Sequence, residues 1–187
     1  TGYQPIIKAA KSLKNKNRTD QFTKNKKDVI RLLKKINKES IIVYKKNKKY
    51  FAPRYVEELK KILKKNINSH FLSGGTDLSL NVTKDRKDID SMIYMNSIKE
   101  LNYIKNNNKY IEVGATTPLI KFENYIKKYY TDFTSILKRY GSVQIRNTAT
   151  MAGNIATASP IGDTLPLLLS LDAKIILKSI KKTKIVP

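Results

Sequence analysis

The sequence predicts a fold of the α/β or α+β class, with α/β-type subdomains. Two patterns carry that expectation. Segments with apolar residues at helical spacing, such as Val56, Leu59, Ile62 and Leu63, alternate along the chain with short β-branched runs such as Ser40–Tyr44. The turns between them are marked by Gly74-Gly75, Gly141 and Gly153-Asn154. At 187 residues the chain is long enough to bury a real core, and no internal repeat is visible.

The elements follow in order. Pro5 suits the first turn of a helix, because its fixed φ fits and its missing N–H has no partner there to lose. Ile6, Ile7, Ala10 and Leu13 then mark one apolar face. Residues 14–28 read as a Lys/Asn-rich linker, followed by an amphipathic stretch with Val29, Leu32, Leu33 and Ile36. Ser40–Tyr44 reads as a strand, and Tyr50–Pro53 as extended chain entering a helix over about 54–65. Phe71-Leu72 forms a short strand broken by the paired glycines, and Asp90–Met95 another. Ser97–Ile104 is a short helix or loop, and Tyr110–Gly114 alternates as a half-buried strand does. Thr117-Pro118 opens a helix with Leu119, Phe122, Tyr125 and Ile126 inward. Thr131–Tyr140 makes the next, with Gly141 able to stop it. After a loop containing Gly153-Asn154, a helix crosses Leu165–Leu171, and Ala173–Leu177 closes as a strand.

Composition excludes several chemistries. There is no Cys and one His, so disulfides, Cys-ligated zinc, iron–sulfur ligation, a thiol nucleophile and a multi-histidine metal site have no residues to build them within this chain. No apolar run approaches the ~20 residues of a membrane-spanning helix. Nothing at the N-terminus has the form of a signal peptide, and a cytoplasmic location is expected. Both ends read as cut from something longer. The net charge of +23 suggests nucleic acid, but it is unevenly placed. Residues 1–66 hold 21 Lys+Arg against 5 Asp+Glu, whereas across 140–177 Arg146 and Lys174 cancel Asp163 and Asp172. Only six of the basic residues are arginine, the side chain that reads phosphates and bases best. The excess reads as a solvated lysine surface, with a nucleic-acid-binding protein as the alternative from a different class.

Two glycine-bearing segments stand out. In Phe71-Leu72-Ser73-Gly74-Gly75-Thr76-Asp77-Leu78 a strand runs into paired glycines, whose N–H groups can turn outward into a concave nest for phosphate oxygens. A simple tight turn is the other reading. The second segment, 144–163, is rich in small and hydroxylated residues and almost free of charge. Within it Asp163 can cap the following helix or accept from a sugar hydroxyl.

In combination, Gly74-Gly75-Thr76-Asp77, then Arg146-Asn147-x-Ala149-Thr150, then Gly153-Asn154-x-x-x-x-Ser159-Pro160-x-x-Asp163 resembles the FAD-binding domain of the molybdenum hydroxylases. The likeness is greatest to the small iron–sulfur/FAD subunit of bacterial xanthine dehydrogenase. Thr1–Ile6 is similar to the helix that follows the Cys-x-Cys cluster ligands there. The resemblance implies two subdomains with FAD between them. It divides the chain into 1–14, the end of an iron–sulfur helical domain; 15–52, a linker with a short helix and strand; and 53–187, the FAD-binding domain without its C-terminal subdomain. It implies that Phe71, Leu72, Ser73, Gly74, Gly75, Thr76, Asp77 and Leu78 wrap the FAD pyrophosphate, and that Thr150, Met151, Ala152, Gly153 and Asn154 form a second wall. Asp163 accepts from the cofactor, and Tyr140 lies against the isoalloxazine. No catalytic acid, base or metal ligand is expected in this chain.

The implied function is to pass electrons from [2Fe–2S] clusters through FAD to NAD+, beside a large subunit carrying the molybdenum cofactor. The flavin subunit of a carbon monoxide or nicotinate dehydrogenase is the nearest alternative. Ala152 departs from the family, which has glycine there; at positive φ its methyl costs about 1 kcal/mol.

Overall fold

The computed structural model describes residues 2–13, 20–36, 39–159 and 162–187. Pro160 and the linker residues 14–19 lie outside the described set. The chain forms two units, Thr1–Lys38 and Glu39–Pro187. The division thus falls between Lys38 and Glu39, and residues 41–52 share a unit with 53–187.

The first unit holds two helices, α1 (Tyr3–Leu13) and α2 (Gln21–Lys35). The sequence placed a linker as far as residue 28, but α2 starts at Gln21. Asp20 explains the early start: its carboxylate accepts from the Thr23 N–H at 2.6 Å and satisfies a donor that the first turn leaves unpaired.

The second unit opens with a four-stranded mixed sheet. β1 (Ile41–Lys45) and β2 (Lys48–Ala52) form an antiparallel hairpin. After α3 (Val56–Lys65), β3 (His70–Leu72) and β4 (Ser91–Tyr94) complete the spatial order β1-β2-β4-β3, with β4 parallel to both β2 and β3. Strand β4 is therefore central, and Ile93 is fully buried, packed in one cluster with Phe51, Leu59 and Ile98. Each such side chain contributes about 1.5–3 kcal/mol through the water it gives up. Glu58 fixes the entry to α3: its carboxylate accepts from the Arg54 N–H at 2.8 Å and from the Ser40 hydroxyl, and these bonds hold its pKa below the usual range.

A short helix, α4 (Leu78–Thr83), follows the glycine loop, where no helical pattern is visible in the residues. Beyond β4, two single 3-10 turns (95–97 and 99–101) lead to a hairpin of β5 (Ile104–Asn106) and β6 (Ile111–Val113). Then α5 (Leu119–Ile126) and α6 (Thr131–Arg139) enclose a second core of Leu119, Phe122, Ile126, Phe133 and Leu137. The Phe122 and Phe133 rings meet edge-on at 5.6 Å.

The expected loop after Gly141 contains two short helices instead, α7 (Val143–Thr148) and α8 (Met151–Thr157). Their hydroxyl residues are caps: Ser142 Oγ accepts from the Ile145 N–H at 3.2 Å, and Thr150 Oγ1 from the Gly153 N–H at 3.1 Å. The chain ends in α9 (Thr164–Ser170) and a hairpin of β7 (Ile175–Lys178) and β8 (Thr183–Val186).

Candidate cofactor-binding site

The first glycine loop leaves the C-terminal end of β3, beside the parallel neighbour β4, which is where open α/β sheets place ligands. Phe71 is exposed, while Leu72, Ser73, Gly74, Gly75, Thr76 and Leu78 are half-buried. Ser73 Oγ donates to Asn96 Oδ1 at 2.8 Å, tying the loop to the turn after β4. Gly75 has φ +70°, a conformation that costs other residues strain. The N–H groups of Gly74, Gly75 and Thr76 donate to no protein acceptor among the described residues, nor does the Thr76 hydroxyl.

Gly74 is required for a second reason. A Cβ there would sit 2.2 Å from the Thr148 carbonyl oxygen and 2.8 Å from Ala149 Cα. The first loop is therefore pressed, backbone on backbone, against the second segment, and the structure brings the two sequence signals together.

The second segment spends its polar groups internally. The Ala149 carbonyl accepts from the Leu119 N–H at 2.8 Å, and Thr150 bridges Pro118. Thr150 is buried as the cap of α8, and Met151 lies in the core. Ala152 is the second residue of α8 and is absent from the positive-φ positions, so the expected left-handed strain does not arise. At Gly153 a Cβ would crowd Thr150 Oγ1 at 2.9 Å; glycine leaves the cap room.

Tyr140 ends α6 and is half-buried against the second core. Its hydroxyl accepts from Asn154 Nδ2 at 2.8 Å. Burial raises its pKa most, the charges of Asp163 and Asp77 raise it further, and the Asn154 bond opposes them. Both carboxylates therefore lie within electrostatic reach of one phenol. Asp163 stands at the N-cap position of α9 without a side-chain cap bond, so its carboxylate is left over from the capping role the sequence allowed.

Sequence reasoning gave no role to four residues that shape this region: Asn96, Glu123, Arg146 and Thr164. Arg146 is buried, its Nε 3.2 Å from Glu123 Oε2, too bent for a hydrogen bond, and one guanidinium nitrogen donates to the carbonyls of Tyr140 and Gly141 at 3.0 Å each. The available signal was Glu123 itself, an acid between Phe122 and Ile126 on a buried helix face.

The donors fit an anionic cofactor. Free backbone N–H groups can hold a diphosphate without a cation, and the cation nearest this region in sequence, Arg146, is already paired with Glu123. The half-buried residues of the first loop make it a half-exposed cradle.

A glycine loop at the end of a parallel strand, with a second segment pressed against it backbone to backbone, is a frame suited to an anionic cofactor in an α+β domain. The comparisons narrow this: the chain belongs to the family of FAD binding domains in molybdopterin dehydrogenase, which matches residues 44–187. It is 32% identical over 143 residues to the nicotinate dehydrogenase FAD-subunit of Eubacterium barkeri, covering 74% of this chain and 48% of that one. It is 26% identical to xanthine dehydrogenase of Dictyostelium discoideum, over 96% of this chain and 18% of that one. The solved carbon monoxide dehydrogenase of Hydrogenophaga pseudoflava has the same fold, with a TM-score of 0.70 at 23% identity, covering 78% of this chain and 52% of that one. The chain thus spans about half the length of its FAD-subunit relative, and much less of xanthine dehydrogenase. No helix among the described residues is long and apolar enough to cross a membrane.

Proposed function

We propose that this chain is the FAD-carrying electron-transfer module of a xanthine dehydrogenase-like oxidoreductase. The carrying observation is the row of unpartnered N–H groups at Gly74, Gly75 and Thr76, locked in place by the backbone contact at Thr148. These donors hold the diphosphate; Gly75 supplies the turn that aims them, and Asp163 accepts from a hydroxyl of the cofactor. Tyr140 packs beside the ring system, and α8 stiffens the wall behind the diphosphate. When bound, FAD supplies two-electron redox chemistry, receiving electrons from [2Fe–2S] clusters and passing them to NAD+. The partner is a large subunit with the molybdenum cofactor that oxidises a purine, and the setting is the cytoplasm.

A second reading, the flavin subunit of a nicotinate dehydrogenase, is favoured by the 32% identity. Against it, the xanthine dehydrogenase match extends over 96% of the chain, and so into the N-terminal helices, whereas the nicotinate match covers 74%.

Purification of the full-length protein tests the proposal. Released flavin should be found by absorbance and identified as FAD, and NADH should bleach it anaerobically. Protein that is colourless and cannot be reconstituted with FAD overturns the reading. Bound FAD that NADH leaves oxidised overturns the NAD+ assignment alone.

A further inference from the structure

Tyr140 is gripped from both ends by groups that are buried themselves. At the backbone, Arg146 donates to the carbonyls of Tyr140 and of Gly141, where φ is +55°, and the guanidinium is neutralised by Glu123 from α5. At the side chain, the Asn154 amide donates to the phenol oxygen at 2.8 Å. The amide is itself oriented, because its Oδ1 accepts from Thr164 Oγ1. Thr164 is fully buried and Asn154 nearly so. One amide N–H of Asn154 goes to Tyr140 and its Oδ1 is taken by Thr164, so the side chain is held in place by protein at both ends.

A phenol has one proton and accepts as well as donates. Because Tyr140 accepts from Asn154 and donates to no protein group among the described residues, its O–H is free to donate outward. We propose that Thr164 and Asn154 are positioning residues that act on the cofactor through Tyr140, setting its hydroxyl as a donor toward the flavin while Arg146 fixes its backbone. This rests on the FAD reading above, and it gives Asn154 a supporting role beside its place in the cofactor wall. Burial and the nearby Asp77 and Asp163 charges keep the phenol protonated, as a donor must be.

The test uses full-length protein carrying fluorotyrosine, with the Tyr140 fluorine signal assigned by its loss in Tyr140→Phe. Asn154 stabilises the phenolate, so Asn154→Ala should move the Tyr140 titration upward. Thr164→Val, which cannot reach any ligand, should move it in the same direction by less, and Thr164→Ser should restore it. In flavin-loaded protein, Asn154→Ala and Thr164→Val should release FAD about tenfold faster, and Thr164→Ser at the native rate. A Tyr140 signal unmoved by both changes overturns the proposal whatever happens to the flavin. A downward shift does so too, since Asn154 would then accept from Tyr140. If the signal moves as expected but even the native protein retains no FAD, the cofactor reading fails and the support of Tyr140 stands.

Discussion

The two walls of the candidate site carry the same sequence signature, glycine beside threonine, yet use it in opposite ways. At 73–77 the glycine N–H groups have no protein acceptor among the described residues. At 150–154 the threonine caps a helix, the methionine fills the core, and the asparagine bonds to Tyr140 and Thr164. One segment is a cradle and the other a buttress. The same residue types thus leave backbone donors open in one segment and close them in the other.

The largest effect that would break this contrast comes from the buttress. Arg146→Ala leaves Glu123 charged and alone in the interior, and should cost about 3–5 kcal/mol, read as a lower midpoint in urea unfolding. Glu123→Leu combined with Arg146→Met should recover most of that loss, because an apolar pair asks for no solvation. Recovery of stability without recovery of flavin binding would separate the packing role of the pair from its hold on Tyr140.

Gly75→Val comes next, aimed at the cradle. Its left-handed φ of +70° penalises a β-branched residue by about 1–3 kcal/mol, which the fold should survive. FAD should be lost from the purified protein while circular dichroism stays native. Equal flavin content in this variant removes the phosphate role of the loop.

Ala152→Gly should do little. In the first turn of α8 glycine lowers stability by about 0.5–1 kcal/mol, and FAD affinity should stay as it was, since Ala152 is not strained. Tighter FAD binding would show that the methyl intrudes on the cofactor after all.

The smallest effect lies outside both walls and serves as a control. Tyr103 donates to Glu112, which with burial pushes its pKa up to about 12 from 10.0. The folded state holds this proton more tightly than the unfolded chain, so the associated stability is complete below pH 10.0 and is lost as pH rises toward about 12. Tyr103→Phe should flatten the alkaline fall in stability across that window without altering flavin retention.

Much of this arrangement was legible in the residues. Phe71-Leu72 before Gly74-Gly75 marked the strand and its nest, and Leu119, Phe122 and Ile126 marked the face that became the second core. The helices α7 and α8 were not legible, because six or seven residues are too few to show a period and their capping Ser142 and Thr150 resemble loop residues. Nor could the sequence show that Asp163 leaves its cap position unbonded, or that Asn154 turns toward Tyr140. Those facts depend on neighbours from other elements.

The contact of Gly74 with Thr148 also sets an order of events in time. The two residues are 74 positions apart, so the cradle cannot close until α5, α6 and α7 exist to bring the second segment back. At a synthesis rate of about 5–20 residues per second, the first loop leaves the ribosome roughly 4–15 seconds before its partner. Through that interval its N–H groups face water alone. On the proposed reading of the loop, flavin capture belongs to the late stage of folding.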